Sequence, residues 1–406
     1  MTALPKFIRL VATSLVSSCC LAAASWAGDD SARIRNIVNT AIRPVMAEYD
    51  IPGMAVAVTI DGRPAYFNYG VASRQDNIPV GEQTLFELGS ISKTFTGTLA
   101  AYAQASGQLS LQDSPGQYIP QLKGSAIDQF SLLHLGTYTA GGLPLQFPDA
   151  IENDGQTTAY FREWQPDSGP GLQRRYSNPS IGLLGHITGL ALNSNFDYAM
   201  ETRLFPGLGL SHSFIQVPDS AMADYAWGYD RANEPIRVNP GPFDAQAYGV
   251  KSTAADMIRF VQANIDPTRL AGPMQRAIEG TQLGYFKAGD MVQGIGWEQY
   301  PYPITLEALL AGNSPAMSME SNAAQRITAP RAPLAPTLFN KTGSTNGFGA
   351  YAVFVPTEGI GIVMLANKNF PISARIKAAY AILEQLVAMR AHATRTVPGE
   401  TGHGSR

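Results

Sequence analysis

The sequence predicts a mixed α/β protein: an antiparallel sheet flanked by helices and assembled from both ends of the chain, with a mainly helical domain inserted between them and a cleft at the junction. Three observations carry this. Strand-and-turn patterns occur near both ends, at residues 54–69 and 349–365. The stretch from about 88 to about 290 is helical or irregular in its apolar spacing and rich in Gly and Pro. An amphipathic helical pattern flanks each end. The boundaries follow as 28–88 together with 291–390 for the α/β part and 89–290 for the helical insert; 391–406, with Thr394, Pro398, Gly399, Gly402 and Gly404, reads as a disordered tail.

In chain order, Ile34, Ile37, Val38, Ala41, Ile42, Val45 and Met46 recur at three- and four-residue steps, Asp30 or Ser31 offers an N-cap, and Ile51-Pro52-Gly53 ends the helix. Residues 54–60 read as a buried strand, Asp61-Gly62 as a turn and 64–69 as the hairpin partner. Residues 94–102 have a helical pattern, with Ser90 at the helix N-terminus. Residues 311–336, rich in Ala, Pro, Ser and Asn, read as a long loop. Residues 349–355 and 360–365 form two more strands around a turn at 356–359, and Ile376, Ala379, Tyr380, Leu383, Leu386 and Val387 give a closing helix. The chain carries no internal repeat.

The first 27 residues read as an export signal. Lys6 and Arg9 form a positive region, residues 10–24 are apolar or small, and Ser25-Trp26-Ala27 suits cleavage after Ala27. Val16-Ser17-Ser18-Cys19 loosely resembles a lipobox, but Cys20 to Ala24 still reads as membrane core. A periplasmic location is expected, and both cysteines, Cys19 and Cys20, leave with the signal. The remaining chain then has no thiol for a disulfide, a nucleophile or a metal. Its formal charge becomes −5, from 27 basic against 32 acidic residues. No later run approaches the roughly 20 apolar residues of a membrane span, so no membrane partner is expected. Hydrophobic content of 45% excludes a disordered chain, and eight lysines with no basic run exclude nucleic acid as a partner. Nothing in the pattern asks for more than a monomer.

Three short patterns could carry chemistry: Ser90-Ile91-Ser92-Lys93, Tyr176-Ser177-Asn178 and Lys341-Thr342-Gly343. A Ser-x-x-Lys arises by chance about 0.5 times in a chain of this composition, and Lys-Thr-Gly about 0.05 times, so the set in order weighs far more than any member. Positions three apart on a helix face the same way, which sets the Lys93 amine beside the Ser90 hydroxyl at a helix start whose N–H groups favour an oxyanion. A serine hydroxyl needs a base to take its proton. His134, His186, His212, His392 and His403 lie in no Ser-His-Asp setting, and His134 after Leu132-Leu133 reads as a hydrogen-bonded residue on a packed helix. No two histidines have zinc spacing, so neither a metal nor a cofactor is expected. Base chemistry falls to Lys93, Tyr176 or Lys341: two ammonium groups around a phenol favour phenolate and disfavour the second ammonium, so the cluster titrates as a unit. Lys341-Thr342-Gly343-Ser344 reads as a strand edge able to pair with an extended amide while Lys341 attracts a carboxylate, and Gly343 allows close approach.

Ser-x-x-Lys with a later Lys-Thr-Gly is the signature of penicillin-interacting serine enzymes, and the chain resembles the class C, cephalosporinase-type serine β-lactamases. The resemblance covers nearly all of the chain after the signal. It runs through Gly89-Ser90-Ile91-Ser92-Lys93-Thr94-Phe95, the stretch 133–149, Tyr176-Ser177-Asn178-Pro179, Asp244-Ala245-Gln246-Ala247-Tyr248-Gly249, the stretch 341–350 and Leu365-Ala366-Asn367-Lys368-Asn369. It implies the serine β-lactamase and penicillin-binding-protein fold. It also implies hydrolysis of cephalosporins and penicillins through an acyl-serine, without cofactor, conferring antibiotic resistance. Ser90 would be the acylated nucleophile and Lys93 and Tyr176 the proton handlers, while Gln146 and Asn178 would bind the acyl amide and Tyr248 would line the acyl pocket. Lys341 and Thr342 would face the carboxylate and nucleophile, the Ser90 and Ser344 N–H groups would form the oxyanion hole, and Asn369 and Arg375 would help hold the carboxylate. Ile372 departs from the pattern, standing where many relatives have Asn. The Glu-x-x-Leu-Asn pattern of class A enzymes is absent. The same scaffold also serves D-alanyl-D-alanine carboxypeptidases, esterases and penicillin-binding sensors that acylate once; these differ in whether water reaches the acyl carbonyl.

Overall fold

The computed structural model describes residues 28–330, 332–333 and 335–395. The expected signal segment therefore lies outside the described residues. The centre of the protein is a ten-stranded antiparallel sheet whose strands run, edge to edge, Gln325–Arg326, Phe286–Ala288, Met291–Gln293, Glu298–Pro301, Thr337–Ser344, Gly349–Val355, Ile360–Ala366, Gly53–Ile60, Arg63–Ser73 and Ile78–Pro79. Strands from the two ends of the chain meet in its middle, where Ile60 pairs with Ile360 and Met54 with Ala366.

Period-two alternation divides these central strands between two cores. Met54, Val56 and Val58 face one core with Ile362, Met364 and Val353, covered by the helices Gly28–Glu48 and Ile372–Arg395. Ala55 and Ala57 face the other with Val363, Leu365 and Phe354. There the small residues leave room for the helix Ala254–Ile265 and, beyond it, the buried helix Ser92–Ala105. Both faces being covered, the strands are continuous apolar runs rather than alternating ones.

Several expectations are corrected. The first helix covers Gly28–Glu48, so the expected caps Asp30 and Ser31 lie inside it, as does Pro44. The supposed loop 311–336 holds the end of the helix Leu306–Gly312, the helix Pro315–Met319 and the strands Asn322–Ala323 and Gln325–Arg326. The side chain of Thr305 caps the first helix by accepting from Ala308 N at 3.2 Å, and Pro315 starts the second, where its missing N–H costs nothing. The sheet extends to Phe286–Ala288, ahead of position 291, because that strand forms a hairpin with Met291–Gln293. Residues 391–395 of the expected tail instead continue the last helix, having no Gly or Pro to stop it; 396–406 lie outside the described residues. Among the described residues no helix is long and apolar enough to cross a membrane.

Candidate active site

Ser90 lies in a tight turn, Gly89–Ile91, that feeds directly into the helix Ser92–Ala105. Two glycines bring this turn against the strand Thr337–Ser344. Gly89 has φ 51°, and a Cβ there would sit 2.4 Å from Ser344 N; a Cβ on Gly343 would sit 1.9 Å from Leu88 O. No side chain fits at either place. The strand's pairing with Glu298–Pro301 ends at the Glu298/Asn340 pair, so residues 341–344 leave that edge open beside Ser90. Tyr176 precedes Ser177, whose side chain caps the helix Asn178–Ala191 by accepting from Ser180 N at 3.1 Å. That cap fixes Tyr176 and Asn178 at one helix end.

Lys93 is fully buried; its Nζ donates to Ser90 Oγ at 2.9 Å and to the Ala247 carbonyl at 2.7 Å. The Tyr176 ring lies between two amines: the Nζ atoms of Lys93 and Lys341 are each 5.0 Å from its centroid. Lys341 Nζ is 3.4 Å from Glu298 Oε1, which also lies 3.6 Å from Arg174 Nη2. Arg174 in turn donates to Gln293 Oε1 at 2.8 Å and to the Met317 carbonyl at 2.7 Å.

The charges set the ionisation of each group. Burial pushes the Lys93 amine down to about 8, helped by Lys341 and opposed by Tyr176 and Glu298. Burial alone would raise the Tyr176 phenol, but the Lys341 and Lys93 ammonium groups and the Ser90 hydroxyl outweigh it and hold the phenol below its ordinary value. The Tyr176 hydroxyl closes no hydrogen bond of ordinary geometry, so these neighbours act on it chiefly through charge. Burial would lower Lys341; Glu298 and Tyr176 reverse that and raise it, keeping the ammonium protonated. Burial, with Asp244 and Asp154, pushes the Tyr248 phenol up to about 12.

A cavity of about 470 Å³ opens over Ser90 and is also lined by Tyr176, Lys341, Gln146, Asn178, Tyr248, Thr342, Gly343, Ser344 and Asn369. Two of the sequence-predicted residues stand behind this wall. Lys93 lies beneath Ser90. Arg375, 1% exposed, gives its guanidinium to the Gly343 carbonyl at 2.6 Å, Ser344 Oγ at 3.0 Å and Asn369 Oδ1 at 2.6 Å. It reaches the cavity only through residues that line it. Ile372 places an apolar side chain on the wall. Sequence reasoning missed Glu298, Arg174, the Ala247 carbonyl and three further stretches of wall, 236–239, 312–314 and 317–319. Glu298 carries no spacing signal; only strand register puts it opposite Asn340, next to Lys341. His134 is a cap: its Nδ1 accepts from Ser131 N at 3.1 Å, and burial pushes the ring down to about 4. Among the described residues no group of His, Cys, Asp and Glu could hold a metal ion.

Residues 38–387 match the family model described as beta-lactamase. A beta-lactamase of Pseudomonas fluorescens is 51% identical over 353 residues, 87% of this chain and 99% of that protein. The solved structure of a beta-lactamase/D-alanine carboxypeptidase from Pseudomonas syringae superposes with a TM-score of 0.85 at 50% identity, covering 86% of this chain and 98% of that one. A class C beta-lactamase solved in complex with cefoxitin also gives a TM-score of 0.85, at 47% identity over 87% of this chain and 99% of the other.

Proposed function

The chain belongs to the β-lactamase family, of class C, and we propose that it opens the β-lactam ring of cephalosporins and penicillins through an acyl-enzyme on Ser90. The observation that carries this is the 2.9 Å contact of Lys93 Nζ with Ser90 Oγ, beside a phenol flanked by two amines. Ser90 Oγ attacks the lactam carbonyl carbon and its proton passes to the Lys93/Tyr176 pair, which titrates as one unit. The N–H groups of Ser90 and Ser344 hold the oxyanion, the C–N bond breaks, and the ring nitrogen takes the proton back from the pair. Water then attacks the acyl carbonyl, its proton taken by the same pair; the C–Oγ bond breaks and Ser90 Oγ takes that proton back, releasing the ring-opened acid.

The remaining wall orients the substrate. The open edge 341–344 pairs with the substrate as an added strand would, and Lys341, held charged by Glu298, attracts its carboxylate. Asn178 Oδ1 is buried with no protein donor, which suits the N–H of the acyl amide; Gln146 lines the same cavity. Purified protein will turn over many equivalents of a chromogenic cephalosporin, and Ser90→Ala will turn over none and take no penicillin label. A single stoichiometric burst from the unaltered protein would point instead to a binder that acylates once. The Pseudomonas syringae neighbour bears both activities in its name, so a D-alanyl-D-alanine peptide belongs in the same assay, where its release of D-alanine would extend the function to carboxypeptidase.

The location we propose is the periplasm, on the strength of the charged, apolar and small-residue order of residues 1–27. N-terminal sequencing of the exported protein is expected to begin at Gly28; a protein starting at Met1 would refute export with cleavage there.

A further inference from the structure

We propose that Glu87 is a positioning residue that sets the acyl side of the cavity, through one carboxylate oxygen that ties the nucleophile's own strand to the wall 236–239. The inference rests on the acyl-enzyme reading above. Glu87 lies three residues before Ser90 on the short strand Phe86–Glu87 and is 2% exposed. Its Oε1 accepts from the Tyr225 hydroxyl at 2.6 Å and from Val238 N at 2.8 Å, and its Oε2 has no hydrogen-bond partner. The cation paired with it across the strand, Lys251, gives its Nζ to the Ile215 carbonyl at 2.9 Å instead.

A buried carboxylate with two donors and no bonded cation is poor value for stability, and an amide or apolar residue of the same shape would be easier to bury. What this carboxylate does is hold two points of one segment. From Tyr225 the chain runs out through the small hairpin of Gly228–Tyr229 with Pro235–Ile236 and returns at Val238. Arg237 closes the same loop from the other side: its guanidinium lies 3.9 Å over the Tyr225 ring and 4.2 Å over the Trp227 ring and donates to the Tyr225 and Ala226 carbonyls. Backbone bonds from Leu85 N to Asp224 O and from Ala226 N to Leu85 O bind the segment to the strand that leads to Ser90.

Ile236, Arg237, Val238 and Asn239 face the cavity, and Gly241 abuts the Tyr248 hydroxyl, so this wall continues into the Tyr248 side of the site. At its Ile236 end the wall abuts Gly347, just past the strand edge that takes the lactam and its carboxylate, and beyond Asn239 the chain leads to the Tyr248 side. An acyl substituent reaching toward Tyr248 therefore meets the Val238 end of this wall, a contact that a substrate lacking the substituent forgoes.

The test compares benzylpenicillin with 6-aminopenicillanic acid, which lacks the acyl group, on the full-length mature protein. For Glu87→Ala, KM for benzylpenicillin is expected to rise about tenfold with kcat within about twofold, while both constants for 6-aminopenicillanic acid stay within about twofold of the unaltered enzyme. Glu87→Gln keeps an oxygen for both donors and is expected to restore benzylpenicillin KM to within about threefold. Equal losses on both substrates, or no change on either, would overturn the proposal, because support of the fold alone does not discriminate between them. Should Glu87→Ala fail to fold, Tyr225→Phe removes one of the two donors and is expected to raise KM about threefold for benzylpenicillin only; a uniform effect or none overturns the proposal there too. Hydrolysis of 6-aminopenicillanic acid by the unaltered enzyme separately tests the acyl-enzyme reading.

Discussion

Two tyrosines on one cavity wall show how much a single neighbour decides. Tyr176, between two lysine amines, is held below its ordinary ionisation range, whereas Tyr248, beside carboxylates, is pushed up to about 12 and stays a neutral phenol at any working pH. Glu298 is the residue that balances the cluster. Its negative charge raises Lys341, Lys93 and Tyr176 alike. Acylation needs the Lys93/Tyr176 pair in its base form and Lys341 in its acid form, so the profile of kcat/KM rises through the first and falls through the second. Glu298→Gln lowers all three ionisations, and the whole bell should move to lower pH. The ratio of kcat/KM at pH 6 to that at pH 9 is expected to rise about tenfold. A profile that loses height without moving would show that Glu298 acts by packing rather than by charge.

At the scale of elements, the strand Thr337–Ser344 and the turn Gly89–Ile91 make the site by fitting closely against each other. The sequence made each element legible for a local reason. The strands Gly349–Val355 and Ile360–Ala366 are unbroken apolar runs either side of Pro356, and the helix beginning at Ser92 follows a Gly that permits the turn before it. Elements of one or two turns were not legible: Pro315–Met319 is too short to display a helical period, and its start depends on one proline within a loop-like composition. Charge partners across the sheet were not legible either. Arg174 and Glu298 meet Lys341 because of strand register and a turn from the helical side, neither of which is written in spacing along the chain. The Ala247 carbonyl that receives Lys93 is a backbone atom and carries no residue signature; Phe243, at φ 55° with its N–H held by Asp154 Oδ1 at 2.8 Å, starts the short helix Asp244–Ala247 that presents it.

Across the whole molecule, a sheet built from both termini brings residues of the two halves to one point. Its continuous two-faced burial holds the Lys341 strand rigid on one side, and the buried helix Ser92–Ala105 holds Lys93 on the other. The site's chemistry depends on that convergence, since the segment that holds Ser90 and Lys93 contains neither Tyr176 nor Lys341. The most direct measurement is the rate of acylation against pH for the unaltered enzyme and for Lys341→Ala. Lys341 lowers the ionisation of both Tyr176 and Lys93, so its removal should move the rising limb to higher pH and cut the ratio of the rate at pH 6 to that at pH 9 by about tenfold. A variant slower at every pH by the same factor, with its rising limb unmoved, would show that Lys341 plays no part in activating Ser90 and would contradict the shared base.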